Sequence, residues 1–166
     1  MPGSSEFVFS VGDGDSLRGG GLDKTLPIDK DHSDLAFVLG SLPSSVNRLS
    51  LYGFMGGRLD HELANLGEVF SFLKRLSAGR CDFYTSSAEL GMVAWSGLTL
   101  SLPIHGLFSV FTFEAGPIQI RGSCRYPLDP PRDLMPLSSH GLSNEGHGQV
   151  HLASTAPALL CLNLNR

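Results

Sequence analysis

Residues 49 to 73 constrain the fold more than any other part of the chain. Leu49 to Tyr52 is a short apolar run that predicts a buried strand. Gly53, Gly56 and Gly57 then form a small-residue turn. Beyond it Leu59, Leu63, Leu66, Phe70 and Leu73 recur at helical spacing, which predicts a long helix over 58 to about 77, stopped by Ala78-Gly79. Glycines let a backbone approach a ligand closely. The first turn of a helix offers free N–H groups and a positive dipole end, which suit a phosphate. Arg58, Asp60 and His61 stand on that turn. A cation, a carboxylate and an imidazole there read as parts of a phosphate-metal site. Alone, the same residues also describe an ordinary helix start, with Asp60 at the favourable end of the dipole.

The layout recurs upstream, and that repetition gives it weight. Phe7 to Val11 is a β-prone run that ends in Gly12-Asp13-Gly14-Asp15-Ser16. Thr25 to Ile28, weakened by Pro27, predicts a second strand and leads into Asp29-Lys30-Asp31-His32-Ser33-Asp34. A helix follows over 35–39, with Asp31 or Ser33 as N-cap and Asp34 in its first turn. Strands alternating with helices imply a parallel sheet, whose ligands bind outside the carboxyl ends of the strands. Asp13, Asp15, Asp29, Asp31, Asp34 and Asp60 would then line one edge. Carboxylates crowded together raise one another's pKa values, and a divalent cation removes the conflict. Taken singly, each cluster reads equally as a turn or a capped helix start.

After residue 80 the pattern changes. Residues 82–84, 92–95, 98–102, 107–113, 118–121, 149–152 and 158–162 are short β-prone runs separated by glycines. This spacing predicts an antiparallel sandwich. The boundary falls near Gly79, giving an α/β domain over 1–79 and an all-β domain over 80–166. Four prolines make 127–137 an extended connection rather than a strand, and 138–145 is a polar loop of the kind that carries binding groups.

Composition narrows the class of partner. A net charge of −4 and a pI near 5.8 argue against a general nucleic-acid or anionic-membrane surface. No apolar run approaches a membrane span. The N-terminal residues lack the pattern of a signal peptide. Cys81, Cys124 and Cys161 are widely spaced and odd in number, which suggests a reducing, cytoplasmic setting without a disulfide framework.

These motifs resemble the thiamine pyrophosphokinase family. The match runs through Gly12-Asp13-x-Asp15-Ser16, Asp29-Lys30-Asp31-x-Ser33-Asp34, and Gly56-Gly57-Arg58-Leu59-Asp60-His61 with Asn65. It continues through Ser109-Val110-Phe111, Cys124 to Leu128, and Gly141-Leu142-Ser143-Asn144-Glu145. The resemblance implies a nucleotide-binding α/β domain, a thiamine-binding β-sandwich and a homodimer. It also implies transfer of a pyrophosphoryl group from ATP to the thiamine hydroxyl, giving thiamine diphosphate and AMP.

By matching position, Asp13, Asp15, Asp31, Asp34 and Asp60 would hold Mg²⁺ and the ATP phosphates. Arg58, with Gly56, Gly57 and His61, would contact phosphate, and Ser143 and Asn144 would hold thiamine. Asp34 or Asp60 is the candidate base for the thiamine hydroxyl, and Trp95, Phe111 and Tyr126 are candidate ring walls. Family members usually carry a strand-helix-strand segment before the Gly-Asp-x-Asp motif, and the motif here begins at residue 12. That departure motivates a second reading, a relative that binds nucleotide or thiamine as a dimeric module without transferring the group. An Asp-x-Asp nucleotide-sugar transferase is a third reading, to whose pattern the glycine-rich helix start and the Ser-Asn-Glu loop do not belong, and a structural α/β-plus-β protein whose acidic loops are solvated caps is a fourth.

Overall fold

The computed structural model describes residues 11–12, 22–27 and 31–162. Asp13, Asp15 and Asp29 lie outside the described residues. The chain divides into two compact units, 1–42 and 43–166.

In the first unit, β1 (Val11–Gly12) pairs in parallel with β2 (Lys24–Thr25). Helix α1 (Asp34–Ser41) starts at Ser33, whose Oγ accepts a hydrogen bond from the Ala36 N–H at 3.1 Å. This settles the N-cap in favour of Ser33 over Asp31. Leu35 and Leu39, one helical turn apart, are buried, as is Leu26. The Lys24 ammonium lies 4.3 Å above the Phe37 ring, a cation–π contact.

The second unit holds one mixed eight-stranded sheet, in the order β3-β4-β5-β10-β6-β9-β7-β8. Its strands are β3 (Arg48–Tyr52), β4 (Gly79–Tyr84), β5 (Leu90–Ser96), β6 (Leu98–Thr112), β7 (Gly116–Cys124), β8 (Leu128–Leu134), β9 (Asn144–Ser154) and β10 (Ala158–Leu162). Only β3 and β4 run parallel within this sheet; every other pairing is antiparallel. Residue 79, where the sequence places a domain boundary, opens β4, and β4 pairs with both β3 and β5. Helix α2 (Leu59–Lys74) connects β3 to β4 and buries Leu66, Val69, Phe70, Phe72 and Leu73. It ends by tightening, with the Arg75 and Leu76 N–H groups donating to the carbonyls three residues back.

β6 determines how the sheet closes. Leu98, at one end, pairs with Ser154, and Thr112, at the other, pairs with Ala158. Ser154 and Ala158 are joined by only three residues. A straight strand of this length would span roughly 46 Å, whereas that link reaches at most about 15 Å. β6 therefore curls, and the sheet folds over on itself into two layers. Gly106, at φ +102°, supplies a backbone angle that L side chains rarely adopt. Even-numbered residues of β6 and β9 face inward, among them Leu100, Ile104, Phe108, Val110, Val150 and Leu152. They pack with Trp95, Ile118, Ile120 and Leu160 into one core.

Two strand expectations need correction. The runs 98–102 and 107–113 are a single strand, because Pro103 and Gly106 bend the ladder without breaking it. Residues 128–134 form a strand despite Pro130 and Pro131. β8 lies at the sheet edge, and its register with β7 shifts between Arg132 and Leu128, so the two prolines fall where the ladder is already interrupted. Among the described residues, no helix is long and apolar enough to cross a membrane.

Phe108 is fully buried at the centre of this core. Phe108→Ala is expected to cost about 3–5 kcal/mol, read from the urea midpoint with an unchanged slope.

Candidate functional site

The turn between β3 and α2 is built by glycine. Gly53 and Gly56 have φ of +79° and +88°, a conformation that a Cβ disfavours. Open space lies beside Gly53, Gly56 and Gly57, with no heavy atom within 4 Å of where a Cβ would stand. The N-cap of α2 is Arg58, whose side chain makes no capping bond. Glu62 compensates. Its Oε1 accepts hydrogen bonds from both the Gly56 N–H, at 2.7 Å, and the Gly57 N–H, at 2.8 Å. This carboxylate reaches back past the N-cap, further than the N3 residue of a capping box, whose partner is the N-cap N–H. It shows that two successive backbone donors converge on one anionic oxygen, as in the nests that bind anions.

Beside this seat, Arg58 and Asp60 form a two-point ion pair. The guanidinium Nε donates to Oδ1 at 3.1 Å and Nη2 to Oδ2 at 2.6 Å. Both side chains are exposed. The hydrogen bonds from Arg58 hold the Asp60 carboxyl below its usual range, and the His61 N–H assists. Arg58 is raised in turn, first by its hydrogen bond to Asp60. His61 is exposed on the same turn. Gly56, Gly57, Arg58, Asp60 and His61 are thus brought together. Leu59 and Leu63, which the helix period assigns to the packed stripe, are instead 70% and 53% exposed. In the first unit, Asp31 is exposed and Asp34 opens α1.

The other predicted site residues lie on the loop entering β9. Asn144 is 4% exposed. Its Nδ2 donates to the Tyr126 carbonyl at 2.7 Å, and its Oδ1 accepts from the N–H groups of Tyr126 and Glu145 at 3.0 and 2.8 Å. Its amide therefore clamps two chain segments together. Ser143 is exposed and holds a left-handed φ of +55°, with its N–H donating to Ser109 Oγ at 3.1 Å. A non-glycine residue in that region stores strain of about 1–3 kcal/mol. Below the loop lies a cleft of about 210 Å³, lined in part by Tyr126, His140, Leu142 and Asn144. Of the expected aromatic walls, Tyr126 lines this cleft, Phe111 is half-buried, and Trp95 is core.

The fold has solved relatives. A thiamine pyrophosphokinase from Bacillus subtilis superposes with a TM-score of 0.67 at 19% identity, over 93% of this chain and 78% of that one. The chain has the thiamine pyrophosphokinase fold. A thiamin pyrophosphokinase from Geobacillus thermodenitrificans matches with a TM-score of 0.62 at 20% identity, over 92% of this chain and 75% of that one. A thiamin pyrophosphokinase family protein from Enterococcus faecalis gives 0.65 at 20%, over 93% and 79%. No protein-family model matches the chain, and no curated protein sequence does.

Within the thiamine pyrophosphokinase fold, one functional group escapes the motif reading. Glu62 follows the Gly-Gly-Arg-Leu-Asp-His run directly, and the signal is a glutamate placed one turn inside a glycine-led helix. The depressed Asp60 pKa has a testable cause. A carboxyl lowered in the folded state contributes stability above its ordinary range and loses that contribution as pH falls through the lowered value. In Arg58→Ala the Asp60 carboxyl should titrate at higher pH than in the unaltered protein, observed by ¹³C NMR of the side-chain carboxyls.

Proposed function

We propose that this protein is a thiamine pyrophosphokinase, an ATP-dependent diphosphotransferase. The observation that carries the reading is the Gly56–Gly57 donor pair, seated on an anionic oxygen beside Arg58 and Asp60 in a chain with the thiamine pyrophosphokinase fold. The thiamine hydroxyl oxygen attacks the β-phosphorus of ATP. The bond from that phosphorus to the α–β bridging oxygen breaks, and AMP leaves. The hydroxyl proton passes to a carboxylate, Asp60 or Asp34. Phosphoryl transfer is catalysed mainly by positioning and charge neutralisation. The two glycine N–H groups and Arg58 provide both for the transferred phosphates, and phosphate displaces Glu62 from the donors.

Mg²⁺ suits this donor chemistry. Among the described residues, no group of three or more His, Cys, Asp or Glu side chains is arranged to hold a metal. Mg²⁺ does not need one, since it binds through one or two carboxylates with phosphate oxygens and water. The exposed Asp60 carboxylate matches that requirement. Asp60 would hold the ion, and the assignment of Asp13, Asp15 and Asp31 to it rests on the motif match alone. When bound it offsets phosphate charge.

Thiamine is assigned to the cleft beside Ser143, with Asn144 holding the loop in place. The assembly is a homodimer, supported by the exposed apolar side chains of Leu107, Tyr126, Met135, Leu137 and Leu142 on the β-rich unit. The protein acts in the cytoplasm. Its cysteines are free thiols. Burial pushes the Cys81 thiol up to about 12 and the Cys161 thiol up to about 11, so neither is a ready nucleophile.

A second reading is a dimeric module that binds nucleotide or thiamine without transfer. One observation favours it: the chain's own carboxylates already occupy both the glycine donors and Arg58.

Incubation with thiamine, ATP and Mg²⁺ separates the two. The transferase releases equal amounts of AMP and thiamine diphosphate, quantified by chromatography. Asp60→Asn should lower kcat by on the order of 100-fold or more, with an unchanged far-UV circular dichroism spectrum. Binding of both ligands without AMP release would establish the second reading.

A further inference from the structure

β3 and β4 each end on a tyrosine, and the parallel register sets Tyr52 opposite Tyr84. The two rings are stacked, with centroids 4.6 Å apart and planes inclined by 10°. Tyr84 is half-buried, while Tyr52 remains 59% exposed. Tyr84 covers one face of the Tyr52 ring. The stack fixes the ring plane, so a second planar group meets a preorganised surface.

The surroundings are those of a ligand edge. The pair stands at the carboxyl ends of two parallel strands, where α/β sheets bind their ligands. Gly53 follows Tyr52 directly, has a left-handed φ, and leaves open space where a side chain would stand. The same face of β3 and β4 is polar. It carries Ser50 opposite Asp82 and Arg48 opposite Arg80. The buried Asp82 carboxylate accepts hydrogen bonds from Arg80 Nε at 2.6 Å and Arg48 Nη2 at 3.3 Å. Tyr52, the exposed ring of the stack, gains little from burial in the chain itself.

We propose that Tyr52, backed by Tyr84, is a stacking platform for a planar heteroaromatic ring of a substrate. This deepens the reading under Proposed function and rests on it for the identity of the ring, which is the purine of ATP when thiamine occupies the cleft beside Ser143, and a ring of thiamine only if that cleft assignment fails. Neither tyrosine lies in the motifs that suggest the activity.

The test measures the affinity of ATP, thiamine and inorganic tripolyphosphate by calorimetry, in the unaltered protein, Tyr52→Phe and Tyr52→Ala. Tripolyphosphate carries the phosphates without a ring. Base–aromatic stacking predicts a loss on the order of tenfold in Tyr52→Ala for the ring-bearing ligand. Tyr52→Phe should bind like the unaltered protein, and tripolyphosphate should be indifferent to both changes. Loss for ATP alone assigns the purine, and loss for thiamine alone assigns thiamine. Unchanged affinity for both in Tyr52→Ala overturns the platform, as does failure of both to bind the unaltered protein. The activity assay is scored separately. Tyr52-dependent ring binding without thiamine diphosphate formation removes the kinase reading and leaves the platform. Thiamine diphosphate formation with Tyr52-independent binding does the reverse.

Discussion

Two backbone N–H groups converging on one carboxylate oxygen organise the glycine turn that leads into α2. Gly56 and Gly57 donate to the same Glu62 atom at 2.7 and 2.8 Å. Consecutive amides point the same way only in unusual backbone conformations, and the positive φ at Gly56 provides one. The start of α2 then carries more positive potential than Arg58 alone would give it. Asp60 is drawn to Arg58, and Glu62 to the glycine donors. The turn is satisfied, but through carboxylates that a more strongly charged anion can displace.

The β-rich unit provides rigidity. Its sheet closes because β6 curls far enough to pair with β9 along one part and with β10 along another. That curl places Phe108, Val110 and Ile104 against Trp95, Ile118 and Leu152 in a single core. The loop entering β9 is anchored on this core by Asn144, so the strained Ser143 is held by its neighbours. β3 and β4 extend the same sheet and end on the tyrosine stack, so the glycine turn springs from a rigid edge.

Much of this was legible in the residues, and the exceptions have physical causes. β3 and α2 follow from a short apolar run and a sustained helical period, signals that tertiary packing reinforces. The N-cap of α1 was legible only as Asp31 or Ser33, and the hydrogen bond that Ser33 Oγ accepts from the Ala36 N–H decides between them. β6 reads as two strands because Pro103 and Gly106 look like a turn, and only cross-strand pairing shows that they bend a continuous ladder. β8 reads as a connection because proline removes donors, which matters little at an edge. Asn144 shows a limit of motif reading. A polar residue in a polar loop suggests a ligand contact, but its amide is engaged by Tyr126 and Glu145. The Tyr52–Tyr84 stack depends on the register between β3 and β4, so only its two halves, an aromatic at each strand end, are visible in the chain. The acidic residues Asp13, Asp15 and Asp29 remain expectations of the motif.

The central claim is that the Gly56–Gly57 donors form a phosphate seat which Glu62 fills when no phosphate is bound. Amide ¹H–¹⁵N spectra recorded during titration with tripolyphosphate test it most directly. The account predicts saturable shifts of the Gly56 and Gly57 cross-peaks, with a matching change in the Glu62 carboxyl ¹³C signal as it leaves the donors. If tripolyphosphate binds while those two cross-peaks and the Glu62 signal stay in place, the account is wrong.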